Sequence, residues 1–136
     1  MSDVDDITAL LYRYARAVDT KNWELYKSVF TEEAVIDYSS ATPIVGSPEE
    51  VANMLREGFA VIPWSVHYIT SVEVLESTDD TARVLDMFYN PMQLPGMSDP
   101  STYCGYYHHE MVRTPDGWRS RSLREDNRWL VNPPTG

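Results

Sequence analysis

Tyr14-Ala15-Arg16-Ala17-Val18-Asp19-Thr20-Lys21-Asn22-Trp23 reads as the end of one helix and the start of a second, with an acid at the junction. Upstream, Ile7, Leu10, Leu11, Tyr14 and Val18 recur at the spacing of one helical face and predict a helix over 6–18. Asp3, Asp5 and Asp6 suit the positive end of its dipole. Downstream, Trp23, Tyr26, Val29 and Phe30 predict a short second helix, with Thr20 as its N-cap. Asp19 sits near the edge of the first apolar stripe, where it reads either as a half-buried acid or as a solvated one.

Further along, Val35-Ile36-Asp37-Tyr38 predicts a short strand and 39–46 a loop. Ser47-Pro48-Glu49-Glu50 is a strong helix start: a cap, proline at the first helical position, and Glu three residues after the cap. Val51, Met54, Leu55 and Phe59 give this third helix its apolar face, and Gly58 or Pro63 ends it. Strands are then predicted over 65–76, 81–90, 103–113 and 118–129, with Pro115-Asp116-Gly117 as a hairpin signal and 77–80 as a turn. The proline-rich stretch 91–101 reads as a loop beside a pocket mouth, and 130–136 as a loose tail. Helices first and hairpin-linked strands afterwards mean an α+β fold, with a strongly curved mixed or antiparallel sheet closed by the helices into a cone. Such a cone encloses a cavity suited to a small apolar ligand.

The chain has 136 residues, which predicts one domain over 1–136. Its net charge of −10 disfavours nucleic acid and anionic membrane surfaces as partners. Cys104 is the only cysteine, so no intrachain disulfide forms, which points to a reducing compartment. The acidic start, Met1 to Asp6, does not read as a secretory leader, and no apolar run is long enough to span a bilayer. A cytoplasmic location is expected. Nine Tyr and four Trp supply side chains with an apolar body and a polar tip, suited to lining a pocket for a ring-shaped ligand.

The element order, with Tyr-Ala-x-Ala-x-Asp-x-x-x-Trp at 14–23, Val-Ile-Asp-Tyr at 35–38, His67 opening a strand and Asp-Gly-Trp at 116–118, resembles the SnoaL-like (nuclear transport factor 2-like) superfamily. The resemblance spans nearly the whole chain. It is nearest to scytalone dehydratase, bile-acid 7-alpha-dehydratase and hexachlorocyclohexane dehydrochlorinase. These pair an Asp at the end of the first helix with a His at a strand start, positions matched here by Asp19 and His67. The resemblance further implies pocket tyrosines at Tyr14 and Tyr38 and a pocket arginine at Arg128. Val18 and Met92 differ from scytalone dehydratase, which has a tyrosine and a second histidine near those places.

The chemistry expected of Asp19 and His67 is general-base catalysis. A carboxylate on one ring nitrogen fixes the tautomer and leaves the other nitrogen to accept a proton from carbon. Tyr14 or Tyr38 would hydrogen-bond the oxygen that becomes enolate-like. Each residue also has a structural reading: Asp19 as the cap of the next helix, His67 as a satisfied strand histidine. Trp64, Phe88, Tyr107, His109 and Arg128 are the candidate substrate-binding residues. His108 and His109 point to opposite faces of a strand, so they do not share a metal, and no metal or organic cofactor is expected. Asp86 reads as a second pocket acid or, better, as the partner of an arginine. Arg119, Arg121, Arg124 and Arg128 spread over both faces of the last strand. The expected activity is that of a cofactor-independent dehydratase or isomerase acting on a hydrophobic oxygenated ring substrate, steroid-like or polyketide-like. The alternatives are a binding module without turnover and a homodimer or homotrimer paired through the sheet face.

Overall fold

Two serines start two of the three helices. In the computed structural model, which describes residues 2–134, Ser2 caps α1 (Asp3–Asp19) and Ser47 caps α3 (Pro48–Phe59) with the full reciprocal capping box to Glu50. The junction between α1 and α2 (Trp23–Lys27) departs from expectation. Thr20 closes α1, donating its hydroxyl to the Arg16 carbonyl at 2.7 Å, and Asn22 caps α2 by accepting from the Leu25 amide at 3.0 Å. Lys21 between them adopts a left-handed φ of 56°, so the chain reverses before Asn22 and Thr20 cannot reach α2. Val29 and Phe30 leave the helix, and Phe30 begins β1 (Phe30–Asp37).

The remaining strands are β2 (Val45–Gly46), β3 (Tyr68–Ser77), β4 (Thr81–Met92), β5 (Ser101–Thr114) and β6 (Gly117–Val131). They form one open six-stranded sheet in the order β2-β1-β6-β5-β4-β3. The β1–β6 pair is parallel and every other pair antiparallel, so the sheet is mixed and the fold is α+β and cone-like. Residues 130 and 131, expected in the tail, extend β6. Thr135 and Gly136 lie outside the described residues. Ile7, Leu10 and Leu11 of α1, Val51, Ala52 and Leu55 of α3, and Val84, Met111, Trp118 and Leu123 of the sheet belong to one buried core.

Two irregularities in β6 decide what faces inward. Met111 pairs with Ser120 and Glu110 with Ser122, which makes Arg121 an extra, bulged residue. Cys104 pairs with Trp129 and Gly105 with Asn127, which bulges Arg128 in the same way. The first bulge switches the buried positions from even (Trp118, Ser120) to odd (Leu123, Glu125). The second depends on Gly105, where an added Cβ would collide with the Asp126 carbonyl and lie 2.9 Å from the Arg128 nitrogen.

Candidate active site

His67 is placed before its strand rather than inside it. The segment leading to it is fastened by Asn90, whose side-chain amide donates to Ser65 Oγ and to the Val66 carbonyl, each at 2.9 Å. The Val66 amide donates to the Pro91 carbonyl at 3.0 Å, and Lys21 Nζ reaches the Ile62 carbonyl at 2.7 Å. These bonds bring the start of β3 against the end of α1. There Asp19 accepts twice from one residue: Oδ1 lies 2.6 Å from His67 Nδ1, and Oδ2 accepts from the His67 backbone amide at 2.8 Å. The side chains are 21% (Asp19) and 5% (His67) exposed, so the acid keeps contact with water while the imidazole is enclosed. With Nδ1 held, Nε2 is the nitrogen left for the cavity that His67 lines.

That cavity measures about 230 Å³. Its wall is mostly apolar, with Val18, Leu55, Phe59 and Ile62 from the helical side and Met92 and Leu94 from the sheet side. An engineered cavity of about 150 Å³ holds one benzene ring. The enclosed space here therefore fits one or two fused rings, and a longer molecule would project from the mouth.

The polar wall is a chain of phenols. The Tyr38 hydroxyl lies 2.6 Å from that of Tyr14 and 2.6 Å from that of Tyr26. Tyr26 is fully buried and has only Tyr38 to donate to, so its proton goes there. Tyr38 must then donate to Tyr14, and Tyr14 in turn is oriented as a donor towards Tyr107, the next phenol of the cavity wall. Burial pushes the hydroxyls of Tyr14, Tyr26, Tyr38 and Tyr107 well above the usual phenol range, so all four are neutral donors. Tyr14 stands edge-on to His67 with ring centroids 6.3 Å apart, and to Tyr107 at 5.3 Å.

Of the sequence candidates, Asp19 and His67 are in direct contact, and Tyr14, Tyr38 and Tyr107 line the same cavity as His67. Four others lie elsewhere. Arg128 is the bulged residue of β6; its side chain is 65% exposed and reaches Asp126 at 3.3 Å. Trp64 sits in the segment that passes outside the cavity and is 41% exposed. Phe88 is buried behind the wall, stacked on Tyr107 at 4.3 Å. His109 is buried between β4 and β6, where Nδ1 lies 2.8 Å from Ser120 Oγ. His108 faces the other side of the sheet, 3.7 Å from Asp126.

Asp86 meets no arginine. It is buried 3.6 Å from His109 Nε2, and burial pushes its carboxyl well above the usual carboxylate range. Burial likewise lowers His109 to about 3. The Ser120 hydroxyl donates to the Ser122 carbonyl, so His109 Nδ1 carries the hydrogen that bonds Ser120. His109 Nε2 is then a lone pair facing a protonated Asp86. The distance invites the description of a salt bridge, but these donors and the burial make it a neutral acid–imidazole contact.

Glu125 and Asn90 line the cavity and were not among the sequence candidates. Asn90 carries no pattern that marks it. Glu125 was hidden by the Arg121 bulge, because unbroken alternation from Trp118 puts Glu125 outside and Arg128 inside.

With this geometry in place, comparison with known proteins gives the family. A SnoaL-like domain model matches residues 1–124, and the chain belongs to that family. A Mycobacterium tuberculosis relative, the uncharacterized protein Rv2910c, is 32% identical over 120 residues, covering 88% of this chain and 81% of the relative. The Kfla4162 protein of Kribbella flavida superposes with a TM-score of 0.86 at 28% identity, over 96% of this chain and 93% of that one. A scytalone dehydratase-like protein of Novosphingobium aromaticivorans gives 0.85 at 13% identity (97% and 88% covered), and a type 2 hexachlorocyclohexane dehydrochlorinase gives 0.80 at 16% (93% and 86%). At the last two identities the likeness is one of fold.

Proposed function

We propose that the protein is a cofactor-independent lyase or isomerase in which the Asp19–His67 pair removes a proton from carbon. The observation that carries this reading is the 2.6 Å contact between Asp19 Oδ1 and His67 Nδ1 at the edge of an apolar cavity. Asp19 holds the tautomer in which Nε2 is basic and stabilises the imidazolium that forms. The substrate carbonyl is activated by Tyr14, which accepts from Tyr38 at the end of the Tyr26–Tyr38–Tyr14 chain and turns its own proton from Tyr107 to the substrate oxygen. The cavity supports a hydrophobic, oxygenated substrate of one or two fused rings, polyketide-like in size. A steroid-like substrate would place only part of its skeleton inside. That dehydratases and dehydrochlorinases share the fold is consistent with elimination.

The test is turnover of ring β-hydroxy ketones by wild-type protein, His67→Ala and Asp19→Asn. Loss of turnover in both variants, with unchanged circular dichroism and retained ligand affinity, is the expected result. The largely apolar wall also favours a second reading, a small-molecule binding module without turnover. Tight ligand binding that His67→Ala leaves intact, with no product formed by wild type, would select it.

The same reading includes a reducing, cytoplasmic location, supported by the lone Cys104, and no membrane or nucleic-acid partner, supported by the net charge of −10. Among the described residues, no helix is long and apolar enough to cross a membrane. Self-association through the sheet, as a homodimer or homotrimer, is supported by one row of residues. Tyr68, Tyr89, Cys104 and Trp129 are register neighbours across four strands. Tyr68 and Trp129 are more than half exposed, and Tyr68 stacks on Tyr89. Solution mass at micromolar concentration checks it.

A further inference from the structure

Elimination of a hydroxyl needs an acid as well as a base. Hydroxide is a poor leaving group because its conjugate acid, water, has a pKa near ~15.7. Chloride departs without a proton. The Asp19–His67 base therefore leaves the identity of the leaving atom open, and a second protonated group in the same cavity would decide it.

One carboxyl group answers that description. Glu125 lines the cavity with only 9% of its surface exposed, and its Oε1 is buried with no hydrogen-bond partner. Among the described residues no cation bridges to it. The groups that face it are Asp37 and Tyr38 from β1 and the turn after it, Tyr26 from α2, and Tyr103 and Tyr107 from β5. All are acids or phenols, and none would stabilise a carboxylate as a cation would. Burial first, and then the negative charge of Asp37, raises Glu125 to about 8. Its place relative to the base is also suitable. Glu125 pairs with Tyr107 across the β5–β6 register, Tyr107 touches Tyr14, and Tyr14 touches His67. Contacts thus lead from the base through the carbonyl-binding phenols to the acid.

We propose that Glu125 is the proton donor to the departing group, and that the substrate therefore loses an oxygen leaving group, as water, rather than a halide. This rests on the base assignment made above. In the step, His67 Nε2 takes the proton from the carbon beside the carbonyl. The electron pair forms the new carbon–carbon double bond, and the bond from the neighbouring carbon to its hydroxyl oxygen breaks. That oxygen takes the Glu125 proton and leaves as water. The site is left with imidazolium at His67 and carboxylate at Glu125, and passage of one proton from the first to the second restores it.

The experiment has two arms. In the first, carboxyl-labelled glutamate in the wild-type protein is followed by carbon NMR against Glu125→Gln for assignment. A signal from a protonated carboxyl at neutral pH, missing in the variant, is expected, and an ionised Glu125 at neutral pH overturns the proposal. In the second, 3-hydroxycyclohexanone and 3-chlorocyclohexanone are offered to wild type, Glu125→Gln and His67→Ala, with cyclohexenone as the product read. Glu125→Gln is expected to slow loss of water by about 10²–10⁴-fold and loss of chloride far less. Equal slowing of both, or slowing of neither, overturns the assignment. His67→Ala is expected to abolish both reactions. If it abolishes neither, or if wild type turns over neither probe, the base assignment fails, and the carboxyl signal still decides the state of Glu125.

Discussion

Asp19 and His67 are joined by two hydrogen bonds, in which one carboxylate accepts from the ring nitrogen and from the backbone amide of the same residue, across 48 positions of sequence. The second bond fixes where the imidazole is, and the first fixes which of its nitrogens carries hydrogen. An amide cannot do both. In Asp19→Asn the single carbonyl oxygen can serve the backbone amide, and the amino group then faces Nδ1 and forces the proton to Nε2. Turnover is expected to fall by about 10²–10⁴-fold, as expected for loss of a positioned base. Stability is expected to fall by only about 1–3 kcal/mol. Steady-state kinetics beside urea unfolding separates the two effects.

The phenol chain makes a ranked prediction. Tyr38→Phe removes the central hydroxyl and leaves the buried Tyr26 donor without an acceptor, so it is expected to cost about 1–3 kcal/mol. Tyr26→Phe removes the donor with its hydrogen bond and is expected to cost less, with Tyr38 still able to donate to Tyr14. Tyr14→Phe takes away the acceptor of the Tyr38 proton, so it is expected to cost more than Tyr26→Phe, and it is expected to be the most harmful to turnover, by about 10²–10³-fold, the loss seen when one oxyanion donor is removed. Urea midpoints and kcat for the three variants check the order.

Glu125 also links stability to pH. Its carboxyl titrates at about 8 in the fold against an ordinary 4.5. Between those values the folded chain keeps a proton that the unfolded chain has released. The contribution is therefore most favourable below the unfolded value and is lost as pH rises through the folded one, by up to about 1.4 kcal/mol per unit. Glu125→Gln removes this slope. The variant is expected to be more stable than wild type at pH 8, with the difference shrinking towards pH 5, as read by denaturant midpoints at both.

The Asp86–His109 contact distinguishes neutral from ionic by substitution. If the pair is neutral, Asp86→Asn replaces one uncharged group by another at a 3.6 Å contact that carries no hydrogen bond, and the cost is expected to stay below about 1 kcal/mol. An ionic pair would leave an uncompensated buried imidazolium and cost about 3–5 kcal/mol. Since His109 titrates at about 3 in the fold against 6.5 ordinarily, its contribution is full above 6.5 and is lost as pH falls towards 3. Acid unfolding of wild type against Asp86→Asn measures both.

Gly105→Ala tests the second bulge. The new Cβ would meet backbone atoms of Asp126, Asn127 and Arg128, none of which is a flexible side-chain tip. A cost of about 3 kcal/mol or more is expected, at the upper end of overpacking, together with altered amide exchange in residues 125–131.

Much of this was legible in the chain. Ser47-Pro48-Glu49-Glu50 carries its own helix start, and the α1 stripe from Ile7 to Val18 reads correctly because local spacing and burial agree. The Asp19–His67 meeting was legible only through family resemblance, since no local pattern joins residues 48 apart. The α1–α2 junction was misread because Thr20 and Asn22 are both good caps, and the left-handed turn at Lys21 chooses between them. In the last strand, which the sequence does predict, Glu125 escapes notice for a deeper reason. Side-chain direction along a strand follows from counting, and one bulged residue spoils the count for every position after it. Arg121 looks like any exposed arginine, so nothing in its identity announces the bulge; plain counting would exchange Glu125 and Arg128, and the family resemblance, which implied a pocket arginine at Arg128, points the same way.

That exchange has a consequence for how the strand finds its pairing. Beyond Ser120, the odd positions supply Leu123 and Glu125, and the even ones supply Arg124 and Arg128. A chain that formed β6 without the Arg121 bulge would turn Leu123 to water and drive the guanidinium of Arg124 into the hollow. Burying that charge unpaired would cost several kcal/mol, whereas the native pairing buries a carboxyl that can shed its charge by keeping its proton. The arginines flanking Glu125 thus act as proofreaders of strand alignment, rejecting the one-residue slip that a plain alternating strand would tolerate.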